Sequence, residues 1–438
     1  MRLADLFGLS SKRETSSERE NGKAVASLMA ACRQLLSERG EISATRLATE
    51  ILSSYQALDK PSRELFFDRL ATEFSPNPEK VGQAGDAYRQ EPSPENLARL
   101  QRAVEPPRQE LFRRLNVAPG GTRLLVEMRG HLLRDAGPNS VHAPIVADLK
   151  HLLTSWFNRG FLVLQRIDWR TSATILEKLI RYEAVHQIQG FEDLRRRLLE
   201  DRRCYAFFHP ALPEEPIIFV EAALTEGMSD KVQPLIDPAS PVVNPVSADC
   251  AIFYSITNCQ EGLRGVPMGS FLIKQVVEDL GRAFPRLRRF ATLSPVPGFR
   301  EWLRENGHSL APMSTLAKLD DPEWFKDRKA CDEEKVLVPL CAHYLLRAKR
   351  GNEPVDSVAR FHLRNGARLE RINWLGDTSK AGMERSAGLS VNYRYRLTEL
   401  ERNHELYTRD YRVAASRDVE ALAKQAVAPA MRNSRKAS

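Results

Sequence analysis

The sequence is poor in several features that would have placed it at once. Its six cysteines (Cys32, Cys204, Cys250, Cys259, Cys331 and Cys341) form no C-x-x-C pair and no His/Cys cluster at zinc spacing. That argues against a disulfide-stapled secreted scaffold and against a zinc module. Each lies in or beside an apolar run, the usual setting of reduced, buried thiols in a cytosolic protein. No apolar run approaches the ~20 residues of a membrane-spanning helix. Neither sign of charge dominates: 65 Lys and Arg face 57 Asp and Glu, a net charge of +8, well mixed along the chain. A phosphate- or carboxylate-rich partner fits this balance, and nucleic acid is not required by it. Residues Met1 to Gly22 have no secretory apolar stretch, and Asp5, Glu14, Glu18 and Glu20 are too acidic for a transit peptide. The closing Arg435-Lys436-Ala437-Ser438 is not a peroxisomal Ser-Lys-Leu address. These readings predict a cytoplasmic protein.

What is present is ordinary globular composition, with 42% hydrophobic and 28% charged residues over 438 positions, long enough for two domains at ~100–200 residues each. From about Asn21 to Arg159 the apolar residues recur at three- and four-residue steps, as in Val25, Leu28, Met29, Cys32, Leu35 and Leu36, or Leu47, Ile51 and Tyr55. Further stripes follow around Leu65 to Leu70, Leu97 to Val104, Leu111 to Leu115, Leu124 to Leu133 and Ile145 to Phe157. Gly40, Pro61, Pro106-Pro107 and Pro119-Gly120-Gly121 punctuate them. Residues 21–159 are therefore expected to be an all-helical bundle that packs or assembles, behind a disordered 1–20. After Gly160 strand character sets in: Phe161 to Ile167, then Cys204 to Phe208 and Ile217 to Leu224 as a hairpin about a Pro210 to Pro216 turn, then Cys250 to Ile256 as a central strand. The expected class is α+β, with a mixed α/β part over 160–426 and a flexible tail over 427–438.

The central strand runs into Gly262-Leu263-Arg264-Gly265-Val266-Pro267-Met268-Gly269-Ser270 and then a helical stretch from Phe271 to Leu280. A glycine loop between a strand and a helix lets backbone N–H groups converge on a phosphate. The spacing has neither the Walker Gly-Lys-Ser/Thr ending nor the G-x-G-x-x-G of dinucleotide folds, so it does not point to nucleotide triphosphates or NAD. The loop is similar to the Gln/Arg-x-x-Gly-x-Gly/Ala form of acyl-CoA binding acetyltransferase (GNAT-like) folds, with a different glycine spacing. That likeness implies a coenzyme A pyrophosphate held by Arg264, Gly265, Val266, Pro267, Met268, Gly269 and Ser270.

Longer motifs carry a closer resemblance. Phe253-Tyr254-Ser255-Ile256, the Gly262 to Lys274 loop, Leu293 to Phe299, Phe361-His362-Leu363-Arg364-Asn365-Gly366-Ala367, Arg371-Ile372-Asn373-Trp374 and Asn392-Tyr393-Arg394-Tyr395 resemble the malonyl-CoA decarboxylase family, in the right order over most of the chain. The resemblance implies malonyl-CoA as substrate, acetyl-CoA and CO₂ as products, and a helical assembly half giving a tetramer. It also implies a catalytic pair that falls on Ser294 and His362, both against the substrate. Loss of CO₂ from malonyl-CoA leaves a charge that delocalises onto the thioester as an enolate, so no cofactor and no metal is required. At its ordinary pKa of ~6.5, His362 would offer either protonation state near neutrality and suit proton delivery to carbon.

Read without the resemblance, His362 is a strand-edge histidine, Ser294 is Ser-Pro turn chemistry, and Asn365-Gly366 is a hairpin turn. Tyr393 is a candidate for the acyl pocket, and His186, His209 and His343 read as structural or exposed. Two rival functions are a CoA-dependent acyltransferase of the same fold and a non-enzymatic basic helical adaptor. The first lacks an identifiable base for an amine acceptor; the second leaves the ordered motifs from Phe253 to Tyr395 unused.

Overall fold

The structure is a computed structural model of the whole chain, described over residues 4–135, 140–267, 272–321, 323–327 and 330–426. The expected tail at 427–438 lies outside the described residues, as do Met268, Gly269 and Ser270 of the glycine loop. Two compact units divide the chain. The first takes 1–162 together with 209–213 and 260–268, and the second takes the remainder. The start of the glycine loop, assigned from sequence to the catalytic part, thus belongs to the helical unit.

In the first unit the described residues form helices α1 (Ala4–Ser37), α2 (Glu41–Gln56), α3 (Lys60–Glu73), α4 (Pro78–Gln90), α5 (Pro94–Val104), α6 (Pro107–Val117), α7 (Gly121–Asp135) and α8 (Ala143–Trp156). Residues 4–20, expected to be disordered, continue α1; they contain no proline to stop it. The helix starts are written in the sequence. Asp59, Asn77 and Ser93 accept from the N–H three residues on, and each is followed by a proline in the first turn. Val25, Leu28, Met29, Cys32 and Leu35 of α1 are buried with Leu47, Ile51 and Tyr55 of α2 and Phe66 and Leu70 of α3 in one core, as the periodicity predicts.

The second unit is built on a mixed sheet, so the class is α+β as expected. Its strands are β1 (Val163–Ile167), β2 (Arg202–His209), β3 (Leu212–Thr225), β4 (Cys250–Asn258), β5 (Arg289–Thr292) and β6 (Ser294–Pro295). After a small hairpin of β7 (Lys349–Arg350) and β8 (Glu353–Pro354) come β9 (Arg368–Asn373) and β10 (Ser390–Arg394). The sheet order is β1-β2-β3-β4-β5-β10-β6, with β9 on β10. The turn joining β2 to β3 is Pro210-Ala211 alone; the expected turn to Pro216 is instead strand, running from buried Leu212 through exposed Pro213 and Glu214 into the buried stretch Glu215 to Leu224.

Two features of this sheet make the site. Strands β4 and β5 run parallel, and their pairing ends at Phe253 opposite Thr292. Beyond that point β4 continues to Asn258 while the other chain turns off at Leu293, so the two separate and leave a crevice at their carboxyl ends. On its other edge, β4 pairs with β3 through a bulge: Glu221 faces Ser255 and Ala222 faces Phe253, so Tyr254 has no counterpart. A bulge bends the strand and leaves its extra residue out of the ladder.

Candidate active site

Ser294 stands at the mouth of this crevice. It opens β6, paired through Val391 with β10, and its side chain is 7% exposed. Its Oγ lies 2.9 Å from Nε2 of His362 and donates to Thr292 Oγ1 at 2.9 Å. His362 Nδ1 is 2.7 Å from the hydroxyl of Tyr395, and the ring stacks on Tyr393 with centroids 4.5 Å apart. The pair expected from sequence is thus in direct contact. Tyr393 packs on the histidine and is not among the residues lining the cavity.

The element carrying His362 differs from the strand edge expected. It is a helix, Ser357–Arg364, capped by Asp356, whose carboxylate accepts from Ala359 N–H at 2.8 Å. Asn365-Gly366 is not a hairpin turn: it ends this helix, with Gly366 at φ 78° and its N–H bonded to Leu363 O. A short apolar run next to Asn-Gly satisfies both readings locally; the cap at Asp356, several residues upstream, favours the helix.

The polarity of the hydrogen bonds follows from the far end of the chain. Thr292 donates to the Val391 carbonyl and accepts from the Tyr393 N–H, so its oxygen is also the acceptor for Ser294. Ser294 then accepts from His362 Nε2–H, and Nδ1 accepts from the Tyr395 hydroxyl. This network assigns the imidazole as the neutral Nε2–H tautomer. Thr292 is itself fixed by Asn392, whose amide donates to the Thr292 carbonyl at 2.6 Å and whose oxygen accepts from Arg371 and Asn373.

Burial sets the charge. His362 is 3% exposed, touches two hydroxyls and no carboxylate, and burial pushes its pKa down to about 3. The helix C-terminus near it favours the cation by at most ~2 kcal/mol, too little against a shift of this size. The expectation that His362 titrates near neutrality is therefore corrected: the ring is neutral. Burial also raises the phenol of Tyr395 well above its ordinary pKa.

The crevice holds a cavity of about 220 Å³ whose wall includes Ser294, His362, Val185, Phe253, Pro295, Val358 and Phe361. Among the described residues, no Lys, Arg, Asp or Glu lines it, and no three His, Cys, Asp or Glu side chains converge as metal ligands. Of the expected phosphate loop, Arg264 and Gly265 are exposed and Val266 is buried. His186 is buried and His209 is tied to the Trp156 carbonyl at 3.0 Å. Cys32, Cys204, Cys250, Cys259 and Cys341 are buried free thiols, with Cys32 and Cys250 pushed up to about 12 by burial.

Models of the malonyl-CoA decarboxylase N-terminal and C-terminal domains match residues 74–157 and 160–434. The chain belongs to the malonyl-CoA decarboxylase family. It is accordingly an enzyme of the carboxy-lyase class. It is 34% identical over 423 residues to the mitochondrial malonyl-CoA decarboxylase of Anser anser anser, covering 87% of this chain and 84% of that one. Against the Mus musculus mitochondrial enzyme it is 37% identical over 361 residues, covering 75% and 73%. The crystal structure of malonyl-CoA decarboxylase from Rhodopseudomonas palustris superposes with a TM-score of 0.87 at 48% identity, covering 90% of this chain and 98% of that one. No helix among the described residues is long and apolar enough to cross a membrane.

Sequence reasoning missed Tyr395, Thr292, Asn392 and Asp356. Tyr395 lies 33 residues from its partner, and strand alternation alone makes it an ordinary buried aromatic. Asn392 stood inside a recognised motif and Thr292 one residue before another, and their polar side chains in apolar strands were the available signal.

Proposed function

We propose that the protein decarboxylates malonyl-CoA to acetyl-CoA, and that the contact between Ser294 and neutral His362 at the wall of an uncharged cavity carries the chemistry. A malonyl carboxylate entering this cavity gives up water and, among the described residues, meets no cation. Its charge is better accommodated once CO₂ has left and the charge is spread over the thioester enolate. The enolate carbon is a far stronger base than an imidazole or a phenolate. The Ser294 hydroxyl rotates from Thr292 and transfers its proton to that carbon. Nε2–H replaces it on Ser294, and the Tyr395 O–H replaces the proton lost by the ring. As product leaves, the phenolate takes its proton back from Nδ1 and water in the cavity returns one to Nε2, which restores the starting tautomer. The balance is malonyl-CoA carboxylate plus water giving acetyl-CoA, CO₂ and hydroxide. In this scheme Ser294 and His362 are catalytic, and Tyr395 is a positioning and supplying group behind them.

Two outcomes follow. With His362 neutral, kcat/KM should be flat from about pH 5 to 8, without the step near ~6.5 of an ordinary histidine. A tenfold fall per pH unit across that range would mean that the imidazolium is the acid. Tyr395→Phe should lower kcat by ~10–100-fold with little change in KM, the scale of losing a group that orients a functional histidine. Full kcat in that variant would remove Tyr395 from the relay. Against the acyltransferase alternative, primary amines added to the assay should not accelerate malonyl-CoA consumption; acceleration with an amide product would favour it.

The expected partners are malonyl-CoA and acetyl-CoA, with the phosphate groups at Arg264 to Ser270. We place the protein in the cytoplasm, and fractionation of the native cells tests this. Self-association into a tetramer through the helical unit is supported by α5. Its apolar residues Leu97, Leu100 and Val104 share one face, yet none of the helix's residues is buried, and Leu97 and Val104 are exposed. An amphipathic helix with an uncovered stripe marks an interaction surface. Light scattering on the full chain should give four times the 49.6 kDa chain mass, and Leu97→Glu with Val104→Glu should reduce it. A monomer in both samples would refute the assembly.

A further inference from the structure

Within the helical unit, three cations gather around the turn that follows Leu263. A Cβ built on Gly265, which has φ 75°, would lie 3.9 Å from Nζ of Lys150 on α8. Arg264, the preceding residue, is exposed. Under the turn, Arg129 of α7 is 3% exposed. It donates from Nη1 to Gly262 O at 2.5 Å, from Nη2 to Arg264 O at 2.9 Å and from Nε to Val146 O at 3.4 Å.

Among the described residues no carboxylate neutralises this group. Arg129 spends its donors on carbonyl oxygens, and burial together with the charge of Arg264 holds it below the usual arginine range. Among the described residues neither Lys150 nor Arg264 forms a side-chain ion pair. Nearby acids are already engaged: Glu261 with Arg134, and Asp148 with Arg108 and Gln109. A buried guanidinium without a counter-ion is costly, and two exposed cations beside it raise the local potential further. An anion arriving at the turn relieves both.

We propose that Lys150 and Arg264 form a phosphate site on a turn that Arg129 holds in shape, and that it takes a phosphate group of the coenzyme A part of the substrate. This rests on the CoA-ester reading above and adds to it a residue outside the glycine loop, from a helix expected only to assemble. The ribose 3′-phosphate and the pyrophosphate offer the same chemistry, a dianionic or polyanionic oxygen cluster that a lysine ammonium meets as a point charge.

The test compares wild type with Lys150→Ala and Lys150→Glu on malonyl-CoA, 3′-dephospho-malonyl-CoA and S-malonyl-pantetheine, which has no phosphate at all. Lys150→Ala should raise KM for malonyl-CoA about tenfold with kcat kept, the scale of one charge-assisted hydrogen bond. Lys150→Glu should raise it more, and neither should alter kcat/KM for S-malonyl-pantetheine. If the substitution costs nothing further on the 3′-dephospho substrate, Lys150 meets the 3′-phosphate; if the cost persists, it meets the pyrophosphate. Equal losses on malonyl-CoA and S-malonyl-pantetheine, or no loss on either, would overturn the proposal. Calorimetric titration with free CoA reads the site independently of turnover. Weaker binding and a shallower salt dependence in Lys150→Glu would support the site even if wild type released no CO₂, which would instead defeat the decarboxylase reading. Unchanged CoA affinity and salt dependence would overturn the site.

Discussion

His362→Asn is expected to lower kcat by ~10²–10⁴-fold, the contribution typical of a positioned proton donor, while acetyl-CoA binding changes little. Asparagine keeps a polar group in the hole but breaks the path from Tyr395 to Ser294. Ser294→Ala should also lower kcat, because it deletes the hydroxyl bonded to Nε2 at 2.9 Å and leaves Thr292 Oγ1 without that donor. The two side chains act on one proton, so the double variant should lose far less than the product of the single losses. Steady-state CO₂ release by the three variants checks this, with circular dichroism to confirm folding. Strictly multiplicative losses would mean two independent roles, and a near-normal His362→Asn enzyme would take the residue out of the mechanism.

Gly262→Ala is expected to destabilise the helical unit by about 3 kcal/mol, at the upper end of overpacking costs. Gly262 lies in the short 3-10 helix Glu261–Leu263, backed against α7, where an added Cβ would sit 1.8 Å from the Val126 carbonyl oxygen. No side chain can yield there, because the obstacle is backbone. The thermal transition should fall by roughly 6–12 °C, and CoA affinity should fall with it, since the displaced turn carries Arg264. Gly130→Ala is the control: its Cβ would meet Gly262 N at 3.5 Å, ordinary contact, and should be nearly neutral. Scanning calorimetry of both variants decides the matter. Equal melting temperatures for Gly262→Ala and wild type would show that the turn can move away from α7 at little cost.

Much of this was legible in the amino-acid order, for identifiable reasons. The stripe from Val25 to Leu35 is a helix face because its spacing matches 3.6 residues per turn, and each of those residues ends in the core. The same pattern at Leu97, Leu100 and Val104 gave the helix correctly but not its burial, since periodicity states which face is apolar and not what covers it. Ser294 and His362 were named through their motifs, yet the helix under His362 was read as a strand because Phe361 to Leu363 is too short to show a period. Its charge state was hidden more deeply. An ordinary histidine pKa is a property of exposed rings, and the sheet, Tyr393 and Tyr395 that exclude water from this one arrive from distant parts of the chain. Arg129 and Lys150 carry no motif; only the approach of α7 and α8 to the glycine turn gives them a part.

This chain by itself is expected to remove CO₂ from malonyl-CoA and return a proton to the carbon left behind. The direct measurement is to incubate the purified protein with malonyl-CoA and no acyl acceptor, quantifying CO₂ and thioester products in the same samples. One acetyl-CoA for each CO₂, at a rate abolished together by Ser294→Ala and His362→Asn, is the predicted result. Free CoA and malonate in place of acetyl-CoA and CO₂, or no turnover until an acceptor is supplied, would contradict it.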